Sequence, residues 1–191
     1  MNTKNNQRSR ITKLLIKQAF LSLMHTKRTG KISVTDICSA AEINRSTFYQ
    51  HFAETNSVLE ELENDAISQV NEYLVSIGSS YLAHSDAKGC LMSFLHFVKK
   101  NDELFRTLLL ENSDSHFRKK MFDLTNAMAH TVFRSGMEEK TEENIYRFLI
   151  SGSLDLLVEW IRSDYELPEK DFCNLLYTLC EGCTSCFIRG T

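Results

Sequence analysis

The stretch SVTDICSAAEINRSTFYQHF, residues 33–52, contains two helix-start signals in quick succession. The first is a capping-box pattern, in which the Ser33 hydroxyl can accept from an amide of the first turn and Asp36 can reach back to the N-cap. The second is Asn44, a good N-cap residue, followed by about two helical turns up to His51. Two short helices separated by about three residues predict a helix-turn-helix, whose second helix can lie in the major groove of DNA.

A longer helix is predicted before this pair, from Arg8 to His25. Apolar residues recur along it at spacings of three and four, as in an amphipathic helix: Ile11, Leu14, Leu15, Ala19, Leu23 and Met24. The apolar residues of the helix-turn-helix are expected to complete a core shared by the three helices: Ile37, Ala40, Ala41, Ile43, Phe48 and Phe52. The polar residues between them are then left mostly facing outward.

Charge is distributed unevenly along the chain. Residues 1–52 include nine basic and two acidic residues, a net charge of +7, whereas the remainder of the 191 residues has a net charge of −10. A basic segment joined to an acidic body indicates that one end of the chain binds a polyanion. The alternative is an accidental clustering of solvated charges.

The rest of the chain is also predicted to be helical, which makes the fold class all-α. The whole chain contains one proline and seven glycines, and strand-like runs of β-branched residues are absent. Helices are expected over the following residues, with a break at 79–86: 55–77, 87–100, 102–111, 115–135, 141–163 and 168–189.

Neither a membrane span nor a secretory signal is expected. The longest apolar runs are a few residues, far below the roughly 18 residues that a membrane helix needs. The N-terminus, MNTKNNQRSR, is polar and lacks the apolar segment of a signal peptide. We therefore expect no membrane partner and a cytoplasmic location.

Residues 33–52 resemble the DNA-binding signature of the tetracycline-repressor (TetR) family. The similarity covers about residues 8–60, where the Thr/Ser-x-x-Asp-Ile cap, the short turn and the Thr-x-Tyr-x-x-Phe core occur in order. It implies an N-terminal three-helix helix-turn-helix DNA-binding domain, here residues 1–54. It also implies a C-terminal helical ligand-binding and dimerisation domain, here residues 55–191.

The same resemblance implies a DNA-binding transcriptional regulator, most often a repressor, that binds palindromic operator DNA as a homodimer and is released by a small-molecule effector. The alternative is a regulator of the same fold without a small ligand, acting through a protein partner or through thiol redox state. The chain contains no Ser-His-Asp set, phosphate loop or HExxH pattern, so neither enzymatic activity nor a cofactor is expected.

The candidate DNA-binding residues are the polar side chains of the helix-turn-helix: Ser33, Thr35, Arg45, Ser46, Thr47, Tyr49, Gln50 and His51. Arg45 can pair through its planar fork with guanine O6 and N7, and Gln50 can pair with adenine N6 and N7. Ser46 is small enough to permit a close approach to DNA. Arg45 and Gln50 are therefore expected to read bases.

The other five candidates suit the phosphate backbone. Thr47, Tyr49 and His51 carry hydroxyl or imidazole donors for phosphate oxygens, and matching positions of the family commonly serve that way. Ser33 and Thr35 add donors at the start of the preceding helix, where backbone amides also favour an anion. Tyr49 could instead pack on the first helix, and His51 could be a solvated surface residue.

Two positions depart from the family pattern. Glu42 stands in the turn where the family usually has glycine, a position that often needs a positive φ. Thr55 stands where the family often has a lysine that contacts phosphate. Backbone amides of residues 55–57 could donate in its place.

The dimer interface is expected in the last two predicted helices. The segment FLISGSLDLLVEWI, residues 148–161, is apolar nearly all round, and Ser151, Gly152 and Ser153 permit close backbone approach. The final helix is similarly rich in Leu, Phe and Cys and contains Gly182. Burial of either helix inside one subunit is the alternative.

The middle of the chain is expected to hold any effector pocket, because its many aromatic residues suit an apolar or aromatic ligand. The candidate effector-binding residues are Phe97, His96, Asn126, His130 and Trp160. Packing in the core is the alternative use of each aromatic residue.

The last helix carries a cluster of cysteines: Cys173, Cys180, Cys183 and Cys186. CEGCTSC contains two overlapping C-x-x-C patterns, which elsewhere bind zinc or exchange thiols. On a helix, however, Cys186 is offset from the other three, and no histidine pair with zinc spacing follows. Buried structural thiols are therefore favoured over redox sensing or metal binding, and no metal site is expected.

Overall fold

The computed structural model describes residues 3–26, 31–84, 86–111, 116–132 and 138–188. The regular secondary structure of these ranges is helical, which confirms the all-α fold class. The α-helices, in chain order, are α1 (Thr3–Met24), α2 (Val34–Ala40), α3 (Arg45–Tyr49), α4 (Thr55–His84), α5 (Ala87–Lys100), α6 (Asp102–Arg106), α7 (His116–Val132), α8 (Glu139–Arg162) and α9 (Glu169–Ile188). A π-helix, Thr107–Glu111, follows α6, so the helix predicted over residues 102–111 changes its hydrogen-bond pattern halfway.

The chain divides into two compact units. The first contains the chain up to Ala66, and the second contains most of the chain from Ile67 onward. The domain boundary predicted between residues 54 and 55 stays a prediction. Among the described helices, none is long and apolar enough to cross a membrane.

The first unit is built on one hydrophobic core from α1, α2, α3 and the start of α4. The largest side chains in it are buried: Ile16, Phe20, Met24, Ile32, Ile37, Phe48, Phe52, Val58 and Leu62. Of the helix-turn-helix residues expected in the core, Ile37, Phe48 and Phe52 are buried, and Ala41 and Ile43 are partly buried against it. Ala40 is exposed instead, at the end of α2.

The core-facing stripe predicted for α1 is wrong in its first half. Three of its residues are exposed, by 52%, 52% and 42%: Ile11, Leu14 and Leu15. The buried stripe runs through Ile16, Phe20 and Met24, with Ala19 buried and Leu23 partly buried beside it. A helix turns about 100° per residue, so apolar residues on both sides of this stripe fit a helical spacing equally well.

The break predicted at residues 79–86 is also wrong, since α4 continues to His84. A glycine in a helix costs only about 1 kcal/mol relative to alanine, so Gly78 and the serines after it do not end the helix by themselves. Asp86 then caps α5, where its side chain accepts a hydrogen bond of 2.8 Å from the amide of Gly89.

The second unit is packed through two groups of aromatic rings. Tyr73 stacks on Phe97 with centroids 4.4 Å apart, Phe97 lies 6.0 Å edge-on to Phe105, and Phe105 lies 6.2 Å from Phe117. These rings connect α4, α5, α6 and α7 inside the unit. The second group, Trp160 with Tyr165 and Phe172, lies where α8 turns into α9.

Candidate DNA-binding site

The N-terminus of α2 forms the predicted capping box. The amide and the hydroxyl of Ser33 donate to Asp36 Oδ2 over 2.9 and 2.8 Å, and the amide of Asp36 donates to Ser33 Oγ over 3.2 Å. The single hydroxyl hydrogen of Ser33 is thus used inside the cap. Ser33 can donate to a DNA phosphate only if this bond rearranges.

The turn between α2 and α3 is a Schellman motif with a non-glycine residue in its left-handed position. The amide of Ile43 donates to Cys38 O over 3.0 Å, and the amide of Glu42 donates to Ser39 O over 3.4 Å. Glu42 has a φ of 54°, as expected for the position where the family usually has glycine. The turn therefore forms with glutamate, and its cost is backbone strain at one exposed residue.

Helix α3 is anchored by its aromatic residues. Phe48 is completely buried, with Phe52 at 5.9 Å and Tyr49 edge-on to it at 5.5 Å between ring centroids. Asn44 occupies the N-cap with an extended backbone, but its side chain makes no capping hydrogen bond. Phe48 thus fixes which face of α3 points into the core.

The six candidate residues around α3 lie on the side left uncovered by that anchor. Arg45, Ser46 and Gln50 are exposed, and so is Tyr49 at 58%. Two others are half-buried: Thr47 and His51. Their DNA-reading and phosphate-binding roles stay predictions.

One contact joins two of the candidate residues across the turn. Nη2 of Arg45, the first residue of α3, donates to Oγ1 of Thr35 in the first turn of α2. The sequence did not indicate this contact, because a separation of ten residues across a turn specifies no side-chain register.

An ion-pair cluster holds α1 against the start of α4. Lys13 Nζ lies 2.7 Å from Glu61 Oε2 and 5.2 Å from the centre of the Phe52 ring, and Lys17 Nζ lies 3.3 Å from Glu61 Oε1 and also bonds Asp65. Burial alone would lower the pKa of Lys17, but its two carboxylate partners outweigh burial and raise it. Two of the basic residues of the N-terminal segment are therefore engaged by α4.

Other basic residues of the first unit remain on its surface. Arg8 and Arg10 on α1 and Lys31 before α2 are exposed, as is Arg45. Thr55, at the position where the family often has lysine, is half-buried and begins α4. The unit thus presents an uncovered polar face of α3 with basic residues elsewhere on its surface.

A model of the TetR family, described as a transcriptional regulator C-terminal region, matches residues 85–182, just over half of the chain. The chain belongs to the TetR family of transcriptional regulators. This confirms the family inferred from residues 33–52, and it does so from a part of the sequence that carried none of that inference.

One curated transcriptional regulator is also similar to this chain. The HTH-type dhaKLM operon transcriptional activator DhaS of Lactococcus lactis subsp. lactis (strain IL1403) is 29% identical over 115 residues, 59% of this chain and 57% of DhaS. The matched segment therefore spans little more than half of the length of that relative.

Several solved structures share the fold over nearly the whole chain. A structure of DhaS gives a TM-score of 0.63 at 16% identity, covering 92% of this chain and 97% of that one. A TetR regulator from Streptococcus agalactiae 2603V gives 0.68 at 21% identity, covering 94% and 99%. RolR, in complex with the ligand resorcinol, gives 0.56 at 13% identity, covering 94% of both chains. At these identities the likeness shows the fold alone.

The two aromatic effector candidates of this TetR-family chain are packed among other rings. Phe97 stacks on Tyr73 and meets Phe105 edge-on, as described above. Trp160 is 3% exposed, stacks on Phe172 at 4.5 Å, and donates its indole N–H to Leu167 O over 2.7 Å. Trp160 is thus part of the buried core of the second unit, whereas Phe97 is half-buried.

The polar effector candidates lie elsewhere in the second unit. His96 is exposed on α5, with Nδ1 3.5 Å from Glu169 Oε1 at the start of α9. Asn126 is half-buried on α7, and the side chain of His130 lies outside the described part of the structure. Their contacts do not bring the candidates together, and their role in effector binding stays a prediction.

Two surface grooves, of about 260 and 510 Å³, lie between α7 and α8. They share Arg118 and Ser151, and further residues line one or the other: Lys119, Phe122, Asn144, Arg147, Phe148, Gly152, Leu154 and Asp155. The Arg118 guanidinium is paired with Asp155 over 2.7 Å. The candidates whose side chains the structure describes, Phe97, His96, Asn126 and Trp160, do not line these grooves.

The cysteines of α9 sit in differing surroundings. Cys173 is completely buried and its thiol donates to Lys88 O over 3.7 Å, whereas Cys180 Sγ lies 3.8 Å from Ser153 Oγ. Burial raises the pKa of both thiols, which disfavours the reactive thiolate. Cys183 is half-buried, and the Cys186 side chain lies outside the described residues. Within the described ranges, no group of three or more His, Cys, Asp or Glu side chains could hold a metal ion.

Proposed function

We propose that this TetR-family chain binds double-stranded operator DNA by placing α3 in the major groove, and that it thereby regulates transcription. The uncovered polar face of α3, held in register by the buried Phe48, carries this proposal. Arg45 and Gln50 on that face read bases, and Thr47, Tyr49 and His51 bind phosphate oxygens. The exposed Arg8, Arg10 and Lys31 add sequence-independent attraction to the DNA.

The chain acts as a homodimer on a palindromic site. A helix as short as α3 reads only a few base pairs, and two copies related by a two-fold axis double the site. Exposed apolar side chains on the last two helices support a dimer through α8 and α9. Phe148 is 70% exposed, and Leu175 and Leu179 are 42% and 47% exposed. Beside them, a Cβ added to Gly152 or Gly182 would meet open space, so the backbone there is accessible to a partner helix.

Repression released by a small apolar or aromatic effector is the first form of regulation we propose. RolR, which shares the fold, is known in complex with resorcinol, a ligand of that kind. Effector and DNA then oppose each other's binding by the same factor, since the coupling between two sites is reciprocal.

A second form, without a small ligand, is favoured by one observation. Both aromatic effector candidates pack against other aromatic rings here. In this form a protein partner or the redox state of the α9 thiols supplies the signal. A screen of apolar aromatic compounds for release of bound DNA separates the two forms.

Selection of bound sequences from a random DNA pool tests the core of the proposal. We expect an inverted repeat whose half-sites lie about one helical turn, roughly 10 base pairs, apart or a multiple of it. Affinity for it should fall steeply as salt concentration rises, because bound phosphates release counterions. Recovery of no common sequence, or of a sequence without two-fold symmetry, would contradict the proposal.

A further inference from the structure

The side chain of Arg45 makes a hydrogen bond within the helix-turn-helix. Its Nη2 donates to Oγ1 of Thr35, so the first residue of α3 is tied to the first turn of α2. Both side chains lie on exposed positions of the helix-turn-helix. The bond therefore lies on the face that we assign to DNA, and packing in the hydrophobic core does not determine it.

The surroundings leave Thr35 free for this contact. The carboxylate of the neighbouring Asp36 is used by the Ser33 cap. The positive charge of Arg45 also acts on Cys38, one turn further along α2: burial raises the pKa of that thiol, and Arg45 partly offsets the rise. The guanidinium of Arg45 thus lies beside the first turn of α2, where it bonds Thr35.

Thr35 and Arg45 can each still contact DNA while they are bonded to each other. A hydroxyl has two lone pairs and one hydrogen, and Arg45 uses one lone pair of Thr35, so the hydrogen can still be donated to a phosphate oxygen. The guanidinium has five N–H donors, so those not used by Thr35 remain for guanine O6 and N7.

We propose that Thr35 is a positioning residue for base reading: its hydroxyl holds the Arg45 guanidinium in the orientation in which Arg45 meets the base edge. The inference rests on the proposed function of α3. It differs from the phosphate role expected for Thr35 from the sequence, because a phosphate contact changes affinity for all DNA sequences alike. Positioning changes the preference for one base pair.

The test uses the full chain and the DNA sequence obtained by selection, together with its single-base variants. Dissociation constants are measured at one salt concentration for the wild type and for Thr35→Val, Thr35→Ser and Arg45→Ala. We expect Thr35→Val to reduce the preference about fivefold at the same base pair where Arg45→Ala reduces it, and at no other. Thr35→Ser, which keeps the hydroxyl, should retain the wild-type preference.

A double variant completes the test. If Thr35 acts through Arg45, Thr35→Val should cause no further loss of base preference when Arg45 is already alanine. A uniform loss of affinity in Thr35→Val, with the preference intact, would overturn the positioning role and leave the proposed function standing. An unchanged preference in Arg45→Ala would overturn the base-reading role of Arg45 and with it the positioning role of Thr35, whereas the proposed function fails only if selection recovers no two-fold symmetric sequence. Equal melting temperatures of the threonine variants show that each is folded.

Discussion

Replacing Glu42 with glycine should stabilise the helix-turn-helix. Glu42 has a φ of 54° in the Schellman turn, and the left-handed region costs a non-glycine residue roughly 1–2 kcal/mol. Glycine removes this cost, but it also gives the unfolded chain more freedom, worth about 0.4–1 kcal/mol. The difference favours Glu42→Gly by about 0.5–1 kcal/mol. The fraction of molecules in which the helix-turn-helix is open should therefore decrease about two- to fivefold.

Hydrogen exchange of the Ile43 amide is the assay, because this amide donates to Cys38 O inside the turn. We expect it to exchange about two- to fivefold more slowly in Glu42→Gly.

Ala41→Gly is the matched control one residue earlier. Ala41 has a φ of −88°, where glycine relieves no strain and only increases the freedom of the unfolded chain. The Ile43 amide should therefore exchange faster in Ala41→Gly. If both glycine variants shift exchange in the same direction, the strain assigned to Glu42 is refuted.

Two further predictions concern the ion-pair cluster and the dimer. Burial alone would raise the pKa of Glu61, but its lysine partners outweigh burial and lower it below the ordinary 4.5. The ionised carboxylate therefore stabilises the fold above about pH 4.5, and this contribution is lost as pH falls through the folded-state pKa. The free energy of unfolding, measured by urea unfolding followed by circular dichroism, should therefore decrease less between neutral and acid pH in Glu61→Gln than in the wild type. An equal reduction of this pH dependence in the exposed control Glu60→Gln would contradict the assignment. Phe148→Glu should raise the dissociation constant of the dimer by roughly two orders of magnitude or more. The reason is that the apolar contact is lost in both subunits of a two-fold symmetric dimer. Sedimentation analysis measures this, and an equal effect of Val75→Glu, on an exposed residue of α4, would speak against a specific α8 interface.

Local signals in the sequence predicted the site more successfully than the packing around it. The capping box of Ser33 and Asp36 and the positive φ of Glu42 each depend on a few adjacent residues, and the structure contains both. Phe48 could be assigned to the core because it is the apolar residue inside a short polar helix. Such features are determined by backbone hydrogen bonds that close within one or two turns.

Features that depend on distant residues could not be read from the sequence. The buried face of α1 is chosen by what packs against it, so periodicity alone admitted both Leu15 and Ile16. The pairing of Lys17 with Asp65 and the bond from Arg45 to Thr35 join side chains from different helices. Their geometry follows from helix packing, which no local pattern encodes.

The most direct test of the account is the ratio of two dissociation constants, for unrelated DNA and for the selected operator at equal length and salt. In Arg45→Ala this ratio should fall about tenfold or more, because a bidentate contact with one base pair is lost. Arg162→Ala, which removes an equal charge from an exposed residue of α8, should keep the wild-type ratio. An unchanged ratio in Arg45→Ala would contradict the claim that α3 reads the operator through Arg45.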